Sequence, residues 1–565
     1  MYLFDQNQKI GKSKKRKPKS IQMLFLFSVW MVLFLLSTKL ATSRSFVLET
    51  TKNNKNLFEQ AGLVVTRRTR RRMTRSLSMA AKPVHDTADT HSASIDDDDD
   101  DGPSHLPGRF SLSNRIVGTL DPCVVKTKEW MGNYAHLWEG DRGGIYSLAQ
   151  GVVYWKPPPS CRKALVDAVN ANNDKEESEE SDPLALHSYS PASGLPELLE
   201  GLKKKIEIEH GMSDHDVTVT VGANQAYTNI VLTLLGSNSE ANSNRAIVFA
   251  PYYFNHVMAI QMCAGPEAVV VGPTNMDTGV PDIEWLRGTL SKHQNEDTNG
   301  IRMVTLVNPG NPTGVALSRE IVKDVVDLCR NHGVWVVLDC TYEHFFNTGG
   351  RDAGNNTEQN PLPTFPDEPH VIHVFSFSKG YAMAGYRCGY LVTHKNDASK
   401  GGFLSQMLKV QDTIPIGPPR LSQHVAIGAL KQGAVEDSSS SSLYCPSSKE
   451  WVYQKYATLK QSRNYILDAL SSLPQQIGGS GSMYVMGKLP ENLRLADDGE
   501  SDQNEPVDVL FCRLLVKDYG IAIIPGSFCG SEGWIRICYA NLPPGKTKEA
   551  SERLRKGIKD LTGQS

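Results

Sequence analysis

The stretch Val371–Lys379, VIHVFSFSK, constrains the fold and the chemistry more than any other part of the sequence. Its first five residues form a largely apolar run, which favours a strand covered on both faces. Desolvation at the end of such a strand lowers the pKa of Lys379 and makes its amine available as a nucleophile. Ser376 and Ser378, together with Arg387 farther along, offer hydrogen-bond donors suited to a phosphate. Taken alone, the same stretch could be a solvated turn.

Similar apolar runs recur along the chain and alternate with helical patterns. Further strands are predicted at Val217–Val221, Ala246–Phe249, Ala268–Val271, Met303–Val307 and Val334–Leu338. Between the last two of these, Arg319–Asn331 repeats apolar residues at the spacing of one helix face. Strand–helix alternation predicts an α/β fold, with a mainly parallel sheet between helices in a large domain.

A second, shorter αβ pattern follows residue 449 and predicts a smaller α/β domain. Its elements are a helix at Val507–Lys517 and strands at Ile521–Ile524 and Trp534–Ala540. The predicted organisation is an N-terminal part of the small domain over 116–170, a large domain over 171–420, and the C-terminal part of the small domain over 421–565. Three polar inserts are predicted to be surface loops. They are Thr348–Glu368, Val435–Lys449 and Pro490–Pro506.

The first 115 residues differ in composition from the rest. A basic stretch precedes the apolar run Met23–Leu36, which is short for a membrane span and suits a secretory signal. We expect a signal-peptide-like segment over 1–45 with cleavage before Phe46; an uncleaved anchor, or a membrane-attached scaffold, is the alternative. Residues 46–115 are then a transit-like segment, rich in arginine, and a linker disordered by the acidic run Asp96–Asp101. A solvated basic arm is the alternative interpretation of the arginine-rich part, and targeting is favoured over it.

The order of these N-terminal segments resembles the two-part presequence of algae with complex plastids. That resemblance implies a plastid location reached through an ER signal. A cytoplasmic or ER-membrane-anchored protein is the alternative.

Composition narrows the function classes. Hydrophobic residues make up 40% and charged residues 22% of the chain, as in soluble globular proteins. A formal net charge of −2 argues against a general nucleic-acid binder, because there is no excess of cations to neutralise phosphates. The ten cysteines include no C-x-x-C pair, so neither a zinc site nor a disulfide framework is expected. We expect reduced thiols instead.

Polar residues follow two more of the predicted strands. Asp339 ends the run VWVVLD, where it could be a metal ligand, an N-cap or the partner of a cationic ring nitrogen, and Tyr342 follows it. The segment Asn308–Gly314, NPGNPTG, holds two prolines and two glycines that favour a rigid turn. Such a turn would also aim the Asn311 amide at a ligand, and the two interpretations are compatible.

Three further features carry weaker signals. Val217–Val221 runs through a glycine into Ala223, Asn224 and a helical pattern, an arrangement that can bind an anion at a helix N-terminus. Tyr253 lies in an aromatic cluster that could cover a ligand ring, although core packing is the commoner reason for such residues taken alone. Arg536 lies inside an apolar strand and needs a partner there, either a structural carboxylate or a substrate carboxylate.

Assembled in this order, the motifs resemble those of the fold-type I (class I/II) aminotransferases, over Asp121 to Leu561. The resemblance implies pyridoxal 5′-phosphate as cofactor, with Lys379 as Schiff-base lysine, Asp339 as partner of the ring nitrogen and Tyr342 as a third catalytic residue. It also implies that Asn311 and Tyr342 contact the phenolate oxygen and that Tyr253 stacks on the ring. The residues implied at the phosphate are Ala223, Asn224, Ser376, Ser378 and Arg387. Those implied at the substrate carboxylate are Gly151, Asn311 and Arg536, and Tyr189 is implied at the phosphate of the neighbouring subunit. The last role implies a homodimer with shared sites.

Within that family, the sequence looks most like plant aromatic-amino-acid and methionine aminotransferases. The shared stretches are SLAQGVVYW at Ser147–Trp155, GANQA, APYYFN, VNPGNP, VFSFSK and LKVQDTIPI at Leu408–Ile416. The likeness implies an aromatic amino acid or methionine as donor and a 2-oxo acid, such as pyruvate or 2-oxoglutarate, as acceptor. A lyase on the same fold, either a carbon–sulfur β-lyase or one like aminocyclopropane-carboxylate synthase, is the alternative. A silent ligand-sensing protein should have lost Lys379 or Asp339, and both are present.

Overall fold

The computed structural model describes residues 112–170, 186–235, 244–293, 300–347, 362–397, 399, 401–433, 443–496 and 505–563. The chain divides into the units Met1–Pro107 and Gly108–Ser565, and every described residue belongs to the second. The predicted signal, transit-like segment and acidic run therefore lie outside the described residues, as do large parts of the three polar inserts. Within the described ranges, every helix is too short or too polar to span a membrane.

The strands of the described unit are mostly short. In chain order they are β1 (Tyr146–Ser147), β2 (His215–Thr220), β3 (Arg245–Phe249), β4 (Val269–Gly272), β5 (Thr274–Asn275), β6 (Val280–Pro281), β7 (Ile301–Val307), β8 (Trp335–Asp339), β9 (Val371–Ser376), β10 (Gly389–His394), β11 (Gln475–Gly478), β12 (Tyr484–Lys488), β13 (Ile521–Ala522), β14 (Ile524–Pro525) and β15 (Trp534–Cys538).

The described α-helices surround these strands. They are α1 (Asn114–Val117), α2 (Cys123–Tyr134), α3 (Pro159–Asn170), α4 (Pro196–His210), α5 (Ala223–Leu234), α6 (Phe254–Ala264), α7 (Ile283–His293), α8 (Arg319–Asn331), α9 (Phe403–Thr413), α10 (Arg420–Leu430), α11 (Ser447–Ala457), α12 (Leu459–Ala469), α13 (Val507–Tyr519) and α14 (Pro544–Thr562). Short 3₁₀ turns occur at Ala135–Trp138, Gly140–Arg142, Pro266–Ala268, Ala384–Tyr386 and Gly526–Cys529.

A seven-stranded sheet with the order β2-β10-β9-β8-β7-β3-β4 forms the centre of this unit. β10 runs antiparallel to both of its neighbours, and the remaining strands pair in parallel. The predicted α/β fold with a mainly parallel sheet is therefore confirmed. The six strands predicted for this sheet and the helix Arg319–Asn331 are all present, with strand ends shifted by no more than two residues. β10 was not predicted.

Both faces of the central sheet are covered, which explains why its strands are apolar throughout rather than alternating. Side chains alternate between the two faces along each strand. In β8, Val336 and Leu338 belong to the larger apolar cluster, whereas Val337 belongs to a second cluster with Ala226 and Ile230 of α5.

A second, four-stranded sheet is built from the C-terminal sequence. Its order is β11-β12-β15-β14, and all of its pairs are antiparallel. Phe511 of α13 and Leu554 of α14 share a buried cluster with Ile535 of β15. β1 pairs in parallel with β13, so the sequence around Tyr146 lies beside the C-terminal part of the chain. All ten cysteines are free, and nine of them are buried.

Candidate active site

The carboxyl ends of the parallel strands bring the predicted site residues to one edge of the central sheet, the usual place for a ligand in such folds. β8 ends at Asp339 and β9 at Ser376, and the Asn308–Gly314 turn follows β7. A cavity of about 500 Å³ lies there. Twelve of the thirteen predicted site residues line it: Gly151, Ala223, Asn224, Tyr253, Asn311, Asp339, Tyr342, Ser376, Ser378, Lys379, Arg387 and Arg536. Tyr189 is not among the residues that line the cavity of this protomer.

Lys379 presents its amine to this cavity from the turn after β9. Its Nζ donates a hydrogen bond to the carbonyl oxygen of Gly151. Burial lowers the pKa of Lys379 to about 8, against an ordinary value of 10.5; the nearby guanidinium groups of Arg387 and Arg536 lower it as well, and Cys538 opposes them. Far more of the amine is therefore uncharged near neutral pH than in an ordinary lysine, and this form can act as a nucleophile or a base.

Asp339 is buried, yet its carboxylate is held in the ionised form. Burial alone would raise its pKa, but the hydrogen bond and charge of His256 and the hydrogen bonds from Thr341 together outweigh this and lower the pKa below its ordinary value. His256 Nε2 lies 3.1 Å from Asp339 Oδ2, and the backbone N–H of Thr341 donates to Oδ1 at 3.0 Å. His256 stacks on Tyr227 at a ring-centroid distance of 3.9 Å. The site thus holds a fixed negative charge, oriented from two sides.

An anion cradle forms where α5 begins. No side chain caps its first turn, so backbone N–H groups and the positive end of the helix dipole face the cavity at Ala223. The preceding Gly222 has φ +83°, and a Cβ there would collide with the Arg387 guanidinium. Arg387 itself has a left-handed backbone, φ +54°, which is rare for a residue other than glycine. Glycine thus lets this arginine approach the helix N-terminus, where both could contact an anion.

A second cationic group, Arg536, lies on the side of the cavity formed by β15. Its Nη1 donates to Asn311 Oδ1 at 3.1 Å, and its Nη2 donates to the carbonyl of Ala149 at 2.6 Å. Its buried Nε has no hydrogen-bond partner among the described residues. No carboxylate of the described chain forms an ion pair with Arg536, so the structural interpretation of this arginine fails, and a carboxylate ligand suits it.

Tyr342 and Tyr253 complete the walls near Asp339. The Tyr342 hydroxyl lies 2.8 Å from the hydroxyl of Tyr484, which starts β12. The Tyr253 hydroxyl donates to Asn224 Oδ1 at 3.4 Å and accepts from Asn255 Nδ2 at 2.9 Å. Burial raises the pKa of the Tyr253 phenol to about 12 and that of Tyr342 well above its ordinary range, so both phenols keep their protons at neutral pH.

His256 and Tyr484 also belong to this site, although neither was predicted from the sequence. His256, the partner of Asp339, follows Tyr253 by three positions at the start of α6, and that helical spacing places both side chains on one face. This spacing could have indicated His256 as a site residue from the sequence alone. Tyr484 had no comparable signal, because it reaches the cavity from a strand of the other sheet.

Comparison with known proteins agrees with this geometry. The family model for aminotransferase class I and II matches residues 146–554. This chain belongs to that family. An aromatic aminotransferase (ISS1) of Arabidopsis thaliana is 34% identical over 452 residues, which cover 80% of this chain and 97% of the relative. An aspartate aminotransferase of Rhizobium meliloti is 24% identical, covering 74% of this chain and 90% of the relative. A solved Thermus thermophilus aspartate aminotransferase, a single mutant, superposes with a TM-score of 0.61 at 22% identity, covering 80% of this aminotransferase and all of the other chain.

The predicted resemblance to fold-type I aminotransferases, and to plant aromatic aminotransferases among them, is confirmed. The aminotransferase therefore catalyses pyridoxal-phosphate-dependent transfer of an amino group between an amino acid and a 2-oxo acid. The comparisons give no support to the lyase alternative.

Proposed function

We propose that the aminotransferase holds pyridoxal 5′-phosphate covalently at Lys379 and prefers an aromatic amino acid, or methionine, as amino donor. One observation carries the first part of the proposal. The amine of Lys379 shares one cavity with a buried carboxylate, Asp339, and with two separate arginines, Arg387 and Arg536. Each of the four would serve a different part of the cofactor and substrate.

The residues present fit this cofactor. The cradle of Arg387, Ser376 and the first turn of α5 suits the phosphate, and the crowding at Gly222 shows that the chain makes room for the guanidinium there. Asp339, ionised and fixed by His256, suits a protonated pyridine nitrogen. Bound there, pyridoxal phosphate supplies an aldehyde that combines with amines and a ring that withdraws electrons from the substrate carbon.

The protein side of the reaction follows from these positions. Arg536 binds the α-carboxylate of the amino donor through N–H groups that the protein leaves available, and Asn311 steadies that guanidinium. Lys379 Nζ, whose pKa is lowered to about 8, takes the proton from the donor's α-carbon and later returns it. Tyr342 keeps its phenolic proton and donates it in a hydrogen bond.

Three observations support the proposed donor class. The cations among the described lining residues are Lys379, Arg387 and Arg536, and each has a role, so none in this protomer is left for a side-chain carboxylate. Apolar residues, Val124 and Val152, line the cavity as well. The relative that is 34% identical is named as an aromatic aminotransferase. An aromatic or thioether side chain suits such walls better than the carboxylate of aspartate.

A screen of amino donors tests this preference. The purified, cofactor-loaded protein is given phenylalanine, tyrosine, tryptophan, methionine or aspartate, with pyruvate or 2-oxoglutarate as acceptor, and oxo-acid formation is followed. We expect kcat/KM for an aromatic donor or methionine to exceed that for aspartate by at least about 10-fold, the difference made by roughly 1.4 kcal/mol of transition-state binding. A preference for aspartate would overturn the proposed donor class.

We further propose a homodimer in which Tyr189 reaches the phosphate of the neighbouring subunit. Tyr189 is 77% exposed in the single chain, and the exposed Ile416 lies on the segment whose Arg420 donates to the Tyr189 carbonyl. These residues form one exposed surface that a second copy can cover. Tyr189→Phe should lower the affinity for pyridoxal phosphate while the sedimentation coefficient stays that of a dimer. A monomeric, fully active enzyme would refute the proposal.

For localisation we propose import into a plastid through an ER signal, based on the order of the basic, apolar and arginine-rich segments in residues 1–115. A fluorescent protein fused after residue 115 should reach the plastid, and deletion of the apolar run Met23–Leu36 should prevent this. Uniform cytoplasmic fluorescence, or intact-mass detection of Met23–Leu36 in the mature protein, would contradict it.

A further inference from the structure

Tyr484 is a buried phenol in the cavity that has no part in the functions assigned above. It starts β12 and faces the central sheet, where its hydroxyl oxygen lies 2.8 Å from that of Tyr342. The rings of the two tyrosines meet edge to face, 5.7 Å apart and at 84°. The Arg536 guanidinium lies 4.7 Å from the centroid of the Tyr484 ring. Tyr484 therefore touches a residue assigned to the cofactor and a residue assigned to the substrate.

The direction of the hydrogen bond between the two phenols follows from proton counting. Each hydroxyl has one proton to donate and two lone pairs that can accept. If Tyr342 donates its proton to the ring oxygen of the cofactor, as proposed above, the bond between the two tyrosines must be donated by Tyr484. The result is a chain of two hydrogen bonds in one direction, in which the first bond polarises and strengthens the second.

The groups around this pair favour neutral phenols. Burial raises the pKa of Tyr342 well above its ordinary range, and burial also raises that of Tyr484 despite the opposing effect of Arg536. The charged or titratable groups that face the pair are Arg536 and Cys538 from β15, Asp339 from β8, Tyr253 at the start of α6 and Lys379 from the turn after β9. Both tyrosines therefore remain protonated donors over the pH range in which the enzyme can be assayed.

The backbone around Gly151 is shaped to admit the Tyr484 hydroxyl. A Cβ at Gly151 would collide with that hydroxyl oxygen. The same residue offers its carbonyl oxygen to Lys379 Nζ. Glycine at this position thus serves a close approach between the Tyr484 phenol and the main chain that contacts the reactive lysine.

We propose that Tyr484 is a positioning residue that acts through Tyr342, donating a hydrogen bond that directs the Tyr342 proton at the cofactor's ring oxygen. The inference rests on the proposed binding of pyridoxal phosphate at Lys379. A hydrogen-bond donor at the ring oxygen stabilises negative charge on that oxygen. The nitrogen that links Lys379 to the cofactor then loses its proton more easily. Tyr484 thereby lowers the pH at which the bound cofactor changes its visible absorbance.

The test is a pH titration of the visible absorbance of the cofactor-loaded enzyme and its Tyr484→Phe variant. We expect the pH midpoint of the absorbance change to be higher in Tyr484→Phe by about 0.5–1 pH unit, the size expected when one neutral hydrogen bond is lost. Tyr342→Phe should raise the midpoint further, because it removes the direct donor. In the Tyr342→Phe background, adding Tyr484→Phe should move the midpoint by less than about 0.2 pH unit, because the hydroxyl through which Tyr484 acts is already absent.

Tyr539→Phe is the matched control. Tyr539 is buried, donates to the carbonyl of Ser482 at 2.9 Å and does not line the cavity. Its loss should lower the thermal midpoint about as much as Tyr484→Phe does, without moving the spectral midpoint. An unchanged midpoint in Tyr484→Phe, or an equal shift in Tyr539→Phe, would overturn the inference. Failure of the wild-type protein to acquire visible absorbance with pyridoxal phosphate would instead refute the proposed cofactor site.

Discussion

Replacing Lys205 should destabilise the protein strongly, although this lysine does not line the active-site cavity. Lys205 is 1% exposed, and its Nζ lies 2.6 Å from Glu343 Oε2 and 3.6 Å from Glu209 Oε2. His210 hydrogen-bonds to Glu343 at 3.1 Å, and His344 hydrogen-bonds to Glu209 at 2.7 Å. Two buried carboxylates thus share one ammonium group, in addition to their hydrogen bonds to histidine. Because Glu343 directly follows Tyr342, this cluster also anchors the turn that presents Tyr342 to the cavity.

The Lys205→Met substitution keeps the length of the side chain and removes its charge. Breaking a buried ion pair from one side costs about 3–5 kcal/mol, because the buried carboxylates lose the ammonium group that balances their charge. Lys431→Met is the matched control, since Lys431 pairs with Glu197 at 2.8 Å with 37% of its side chain exposed. An exposed pair contributes about 0–1 kcal/mol. Urea unfolding followed by circular dichroism should therefore show a much lower midpoint for Lys205→Met than for Lys431→Met.

Lowering the pH should reduce the difference between the urea midpoints of Lys205→Met and Lys431→Met. Burial would raise the pKa of Glu343, but Lys205 and the neighbouring histidines outweigh it and hold that pKa below its ordinary value of 4.5. The stabilisation from this shift is present above the unfolded value and is lost as the pH falls through the folded one. Without Lys205 the pKa of Glu343 rises, so the carboxylate takes up a proton and the penalty shrinks between pH 7 and pH 5. Equal urea midpoints for Lys205→Met and Lys431→Met at pH 7, or a gap that widens in acid, would refute the reasoning.

Three further predictions concern the cavity. Asp339→Asn should lower kcat by at least about 100-fold, because it removes a preorganised charge, and steady-state assays with saturating cofactor would show it. Arg536→Lys should raise KM for the amino donor by roughly 10- to 100-fold, since lysine cannot bind a carboxylate bidentately; an unchanged KM would exclude a carboxylate contact. In the cofactor-free protein, the rate of pyridoxal phosphate uptake should rise with pH and level off near the Lys379 pKa of about 8, whereas a continued rise to pH 10 would indicate an ordinary lysine.

Most of the central sheet could be predicted because its strands are buried on both faces. Runs such as VWVVL and MVTLV are apolar without interruption, and this pattern identifies them whatever their order in the sheet. β10, the sequence GYLVTH, was missed because no α-helix separates it from β9, only the turn around Arg387, and it returns antiparallel. Alternation of strands and helices does not indicate such a return.

The site was predictable to the extent that its residues follow strand ends. Asp339 ends β8, Asn311 and Lys379 come shortly after β7 and β9, and parallel strands bring such positions to one edge. The partners of these residues were harder to predict from the sequence. Tyr484 meets Tyr342 across 142 positions of sequence and between two sheets, and the spacing of residues along the chain carries no information about that contact.

The central claim is that Lys379 forms the covalent link to pyridoxal phosphate, and borohydride reduction tests it most directly. The wild-type protein, incubated with pyridoxal phosphate and reduced, should lose its visible absorbance band and carry the reduced cofactor on the peptide that contains Lys379, as mass spectrometry of a digest would show. Lys379→Ala should carry no such adduct and should lose nearly all turnover, since general acid–base help alone is typically worth about 10²–10⁴-fold. An adduct on another lysine of the wild-type protein, or retained transamination by Lys379→Ala, would contradict the account.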